Sequence, residues 1–325
     1  MDAGALLDRY ERMNVIRRTE KAAHDLFLQG LVKGTTHLAA GQEAIAVGAS
    51  AALRPDDYVF ATYRGHHHAL ARGATPEECL AELMSRATGL CGAKGGSMHL
   101  TKAATGMLGS YAIVGSHLPM AVGAAWSARL RGTEQLAVAF FGDGATNIGA
   151  FHESLNLAAV WRLPVLFVCE NNLYMEYTPI GAVTAVSRPA ADRASAYGLE
   201  PLVVDGNDVE AVYDIAARTI ERARAGEGPS LVEAVTYRHG GHSRADPGTY
   251  RPEDEVKAWM ARDPIPAHRA RLLKAGVPEE ELERMEEQVK AEVAAAEKAA
   301  REAPEPDPAV ALTQLWADGG SSWRS

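Results

Sequence analysis

Apolar positions recur every three to four residues between Ala5 and Gly30 (ALLDRYERMNVIRRTEKAAHDLFLQG), which predicts a long amphipathic helix stopped by the glycine. Residues 34–53 (GTTHLAAGQEAIAVGASAAL) read as a loop running into a second helix. A short apolar run at Tyr58–Phe60 precedes a polar stretch, TYRGHHH, expected to be a loop, and another helix is expected around 76–86. Residues 87–117 are rich in Gly and Ser and show neither period. A connection that long without regular structure is usually functional or disordered.

The pattern turns regular after that. Leu118–Arg131 predicts a helix built of small residues. Leu136–Phe141 and Pro164–Cys169 are continuous apolar runs of the kind found in parallel strands buried on both faces, with a helix predicted over Ile148–Val160 between them. Leu202–Asp205 and Ser230–Thr236 read as further strands, separated by a helix over Asp208–Ala225. Strand–helix–strand repetition predicts an α/β fold, a three-layer α/β/α parallel sheet. From about Pro252 to Arg301 the chain is charged and rich in Glu, Lys and Ala, and predicts a solvated helical pair. The division expected is therefore 1–251 for the α/β domain with its N-terminal helix, and 252–325 for a helical C-terminal arm and tail. PEPDP at 304–308 reads as a linker to a tail that docks on a neighbour.

Composition narrows the function. The net charge of −9 offers no general attraction to nucleic acid or an anionic membrane, so an anionic ligand needs a local cation. Cys79, Cys91 and Cys169 form no CxxC pair, which argues against a zinc ribbon, a redox dithiol or a disulfide framework. No run of 18 apolar residues and no signal-peptide core is present, so a cytoplasmic protein is expected.

The chemistry concentrates in Gly142-Asp143-Gly144 and, after 26 intervening residues, Asn171-Asn172. Each group follows a predicted buried strand, the edge where open parallel sheets bind ligands. The glycines permit close backbone approach, and the following helix offers free N–H groups to a phosphate. A bare carboxylate beside a phosphate is repelled by about 4 kcal/mol at moderate dielectric, and a divalent cation between them reverses the sign. Mg²⁺ suits one carboxylate, an amide oxygen and phosphate oxygens. A dinucleotide fingerprint would need glycine at 147, where Asn147 stands.

This pairing resembles the thiamin diphosphate motif. Nearly the whole chain is similar to the alpha subunits of heterotetrameric pyruvate, branched-chain 2-oxo acid and acetoin dehydrogenases. The landmarks are THLAAGQEA at 36–44, YRGH at 63–66, KGGSMH at 94–99, IVG at 113–115, GDGATNIGAFHESLN at 142–156, ENNLY at 170–174 and TYRHGGHSRADPGTYR at 236–251. The resemblance implies a thiamin-diphosphate-binding fold with Asp143, Asn172 and the Tyr174 carbonyl as Mg²⁺ ligands. Tyr63, Arg64, Gly144 and Ala145 are then diphosphate contacts, and Val114 and Ala112 lie beside the aminopyrimidine. His242 is expected near the diphosphate and the reacting centre, exchanging a proton during acyl transfer, and His37 at the substrate mouth. The rings of His66, His67 and His68 are expected to diverge, which excludes a tri-histidine metal site. Gly240 stands where pyruvate-type relatives carry histidine and branched-chain relatives carry glycine, so the substrate stays open.

The family's activating glutamate lies on a beta subunit, and after residue 252 too few strand-like runs remain to build a second α/β domain. The resemblance thus implies two alpha and two beta chains acting on a 2-oxo acid or acetoin, with a lipoyl-bearing acyltransferase as acceptor. A stand-alone thiamin-dependent acyl- or ketol-transferase is the alternative. A non-catalytic Mg-nucleotide binder is disfavoured by the intact Asp143, Asn172 and His242.

Overall fold

The computed structural model describes residues 3–313. Helices α1 (Ala3–Leu28) and α2 (Glu43–Ala51) precede strand β1 (Tyr58–Thr62). Helices α3 (His66–Ala71) and α4 (Pro76–Leu83) follow, then β2 (Met107–Tyr111) and α5 (His117–Arg131). The central unit is β3 (Ala137–Gly142), α6 (Gly149–Val160) and β4 (Val165–Asn171). A two-residue hairpin, β5 (Tyr174–Met175) and β6 (Thr178–Pro179), leads through α7 (Ala191–Ala194) to β7 (Leu202–Asp205), α8 (Val209–Arg224) and β8 (Ser230–Val235). Helices α9 (Glu253–Met260), α10 (Pro264–Lys274) and α11 (Glu279–Glu302) end the described chain.

Six strands form one parallel sheet in the order β2-β1-β3-β4-β8-β7. Successive side chains on a strand face opposite ways, and both faces are apolar here. Val138, Phe140, Leu166 and Val168 join a core with α1, α2, α4, α8 and α11. Ala137, Ala139, Phe141, Val165 and Phe167 join a second core with α5 and α6. That is the three-layer arrangement the apolar runs predict.

Three segments differ from the sequence reading. The polar stretch TYRGHHH is not all loop, because His66–His68 open α3 and are buried. Each ring finds a polar partner there, which makes the burial tolerable. The long Gly- and Ser-containing stretch holds β2, at the sheet edge beside β1, and two short 3₁₀ turns. The C-terminal region is three helices rather than a solvated pair. Leu282, Val289, Val293 and Ala300 on α11 are buried in the first core, and α11 packs against α1 and α4. The tail expected to dock on a neighbour lies mostly outside the described residues. Among the described residues no helix is long and apolar enough to cross a membrane.

Candidate active site

The strand order reverses direction between β1 and β3: one connection runs outward to β2, while the next strands run the other way. Open parallel sheets bind ligands at the carboxyl edge of such a switch point. A cavity of about 510 Å³ lies there. Tyr63 and Arg64 enter it after β1, Ala112 and Val114 after β2, and Asp143, Gly144 and Ala145 after β3. Asn172 and Tyr174 enter after β4, His242 after β8, and His37 from the loop before α2. The structure therefore brings all eleven residues singled out in the sequence to one cavity.

Asp143 is 2% exposed. Its Oδ1 accepts the Gly144 N–H at 2.9 Å, while Oδ2 is buried with no partner among the described residues. Burial pushes its carboxyl up to about 7, a rise tempered by the Gly144 N–H and by Arg238. A buried carboxylate with one free oxygen is a group awaiting a cation. Gly144 lets Met175 come close, since a Cβ there would lie 2.5 Å from Met175 Cγ. The Asn172 amide is fixed from both sides. Its Nδ2 donates to Gln42 Oε1 at 3.1 Å, and its Oδ1 accepts the Tyr174 N–H at 3.3 Å. Two non-glycine residues in this loop, Leu173 (φ 72°) and Glu176 (φ 55°), adopt the left-handed region. Such backbone costs about 1–2 kcal/mol per residue and persists only where its surroundings enforce it.

The positive side of the cavity is Arg64 and Arg238, 5% and 2% exposed. Arg64 donates to the carbonyls of Leu38 and His242. Arg238 donates to His242 Nδ1 at 3.1 Å, to the Glu176 carbonyl at 3.0 Å and to the Tyr250 hydroxyl at 2.9 Å. Burial, with these two guanidiniums, pushes His242 down to about 4. Burial and Arg64 push His37 down to about 3. The His37 ring lies 4.5 Å from that of Tyr63 and 5.0 Å from that of His242. Both imidazoles are thus neutral at physiological pH.

A buried, unpaired carboxyl oxygen in a cavity that also holds two guanidiniums, at a switch point, fits a bound metal–phosphate group. Residues 11–309 match the family described as the dehydrogenase E1 component. The chain belongs to the E1 dehydrogenase family. It is 44% identical to the alpha subunit of acetoin:2,6-dichlorophenolindophenol oxidoreductase of Bacillus subtilis, over 94% of this chain and 92% of the relative. It is 42% identical to the pyruvate dehydrogenase E1 component subunit alpha of Zymomonas mobilis, over 94% of this chain and 86% of the relative. The corresponding Rhizobium meliloti subunit is 39% identical, over 96% and 89%.

Among the residues of this E1 chain that line the cavity but were not singled out from sequence are Gln42, Glu170 and Arg238. All fall inside quoted landmarks, yet no spacing marks them. Glu170 accepts from His67 Nε2 at 3.0 Å and from His68 Nε2 at 3.2 Å. So the two neighbouring rings do not diverge as expected, because one carboxylate offers each an oxygen. His66 alone turns away, to Glu20 and Ser97. His67, His68 and Glu170 have the spacing of a metal site. However, both Nδ1 atoms lack the acceptor that a metal-bound histidine ordinarily donates to, and the hydrogen bonds already account for the trio.

Proposed function

We propose that this chain is the alpha subunit of a cytoplasmic thiamin-diphosphate-dependent dehydrogenase. It decarboxylates a 2-oxo acid, or cleaves acetoin, and passes the acyl group to a lipoyl acceptor. The observation that carries the reading is Asp143 Oδ2, buried and unpartnered at the mouth of β3 beside Arg64 and Arg238. Mg²⁺ fits that donor set: Asp143, the Asn172 amide oxygen and the Tyr174 carbonyl would hold it. The N–H groups of Gly144 and Ala145, with Tyr63 and Arg64, would take the diphosphate. Ala112 and Val114 supply an apolar wall for the aminopyrimidine. When bound, thiamin diphosphate supplies the carbon nucleophile and electron sink. The chain's own residues bind it, orient it and set the charge around it. His242 and His37, in contact with each other, stand at the reacting side of the cavity.

A beta subunit completes the site in this reading, in an assembly of two alpha and two beta chains. The support is an apolar face that begins at the cavity rim with Ile113 and Val114 and includes Met120, Trp126 and Leu130 around α5, and Val160 and Trp161 at the end of α6. Trp126 and Trp161 lie 4.6 Å apart, 43% and 36% exposed. An apolar face this extended marks a protein interface. The relatives are named as alpha subunits for acetoin and for pyruvate, and either substrate fits the proposal.

Calorimetry on the assembled complex tests the metal. Thiamin diphosphate should bind with Mg²⁺ present and lose measurable affinity in EDTA, and Asp143→Ala should abolish binding. Unchanged affinity in the variant would remove Asp143 from the metal site.

A further inference from the structure

The hydrogen bond between Arg238 and His242 has a fixed direction. A guanidinium has donors only, so the Arg238 Nη1 to His242 Nδ1 contact of 3.1 Å requires a lone pair on Nδ1. The proton of the neutral ring then sits on Nε2, which makes no hydrogen bond among the described residues while the residue lines the cavity. The arrangement is braced on every side. The His242 N–H donates to Asp246 Oδ2 at 2.5 Å, and its carbonyl accepts from Arg64 at 2.9 Å. Tyr250 joins Asp246 to Arg238, at 2.9 Å to each. The rings of His37, Tyr63 and Tyr177 pack around the imidazole, 5.0–6.0 Å away.

We infer that Arg238 is a positioning residue that holds His242 as a neutral, Nε2-protonated imidazole, so that His242 serves as a hydrogen-bond donor to the reacting oxygen rather than as a proton-exchanging base. The inference rests on the reading of this cavity as the active site. With Nδ1 occupied, a second proton has nowhere to go unless Arg238 withdraws. With Nε2 protonated, the cavity-facing atom has no lone pair to accept a proton. What remains is donation toward negative charge developing on oxygen, a role in which a neutral imidazole is effective. The depressed affinity of His242 for a second proton, due to burial and the two guanidiniums, points the same way.

The test is steady-state turnover of the assembled holoenzyme against pH, with cofactor affinity measured in parallel, for Arg238→Met, Arg238→Lys, His242→Gln, His242→Ala and the Arg238→Met/His242→Gln pair. Glutamine carries an amide donor of similar reach to Nε2–H but does not titrate. The inference expects His242→Gln to keep at least about tenfold more turnover than His242→Ala. It expects Arg238→Met to add an acid limb between about pH 5 and 7, where a released histidine titrates. That limb should be absent from Arg238→Lys and should vanish in the pair. An Arg238→Met profile of unchanged shape overturns the inference, as does an effect on cofactor affinity alone. A wild-type acid limb removed by His242→Gln also overturns it, by showing that the ring exchanges a proton. If His242→Ala turns over normally, the active-site reading of His242 fails first, a different result from any of these.

Discussion

Glu170 is the penultimate residue of β4, two before Asn172, 3% exposed, with His67 and His68 each donating to one of its oxygens. Those two imidazoles hold its carboxyl below the usual carboxylate range although burial opposes ionisation. Two buried hydrogen bonds thereby stabilise that carboxylate where it lines the cavity. Glu170→Gln turns one oxygen into an NH₂ that faces a histidine N–H. We expect a loss of about 2–4 kcal/mol, the range for breaking charge-assisted buried hydrogen bonds, seen as a lower melting temperature of the assembled complex. Melting at the wild-type temperature would show that the pair does not hold the strand end. Sequence reasoning could not find this contact. A glutamate beside NN and a run of histidines look like surface residues until β4 and α3 are placed side by side. Asp143 and Asn172 were legible because they follow apolar runs that can only be buried strands, and because a carboxylate between two glycines has few other uses. Arg238 was not, since a buried guanidinium gives no periodic signal.

Helix α11 shows how an element can look solvated and still belong to the core. Its sequence is dominated by Glu, Lys and Ala, which suggests exposure. Its buried positions, Leu282, Val289, Val293, Ala296 and Ala300, fall at spacings of seven, four, three and four, one narrow stripe along the helix. Small alanines let that stripe lie close to α1 and α4. Leu282 is fully buried and Glu283 beside it is exposed. Leu282→Ala should therefore cost about 2–5 kcal/mol, the range for truncating a buried leucine, while Glu283→Ala changes little. Scanning calorimetry on both variants checks this, and equal melting would return α11 to the status of a solvated arm. The same reasoning explains why β2 was missed. MLGSY is a short edge strand with Gly and Ser, too weak a pattern to stand out from the loop around it.

At the scale of the molecule, five strand ends and the loop before α2 deliver eleven expected residues to one cavity, and the wall formed by Ala112 and Val114 continues into an exposed apolar face. The fold was readable from apolar runs because a sheet covered on both sides requires them. The proposed second subunit was read from the family resemblance and from the scarcity of strand-like runs after residue 252, not from any residue within the cavity. The central claim is that this chain supplies the metal–diphosphate half of an active site whose other half lies on a second subunit. The most direct measurement is dye reduction with thiamin diphosphate, Mg²⁺ and a panel of acetoin, pyruvate and branched-chain 2-oxo acids. It is run on this chain alone, on its beta chain alone and on the two co-expressed. The account expects turnover only from the pair, lost on removing thiamin diphosphate or adding EDTA. Sustained turnover by this chain alone, or turnover by the pair that does not depend on thiamin diphosphate, would contradict it.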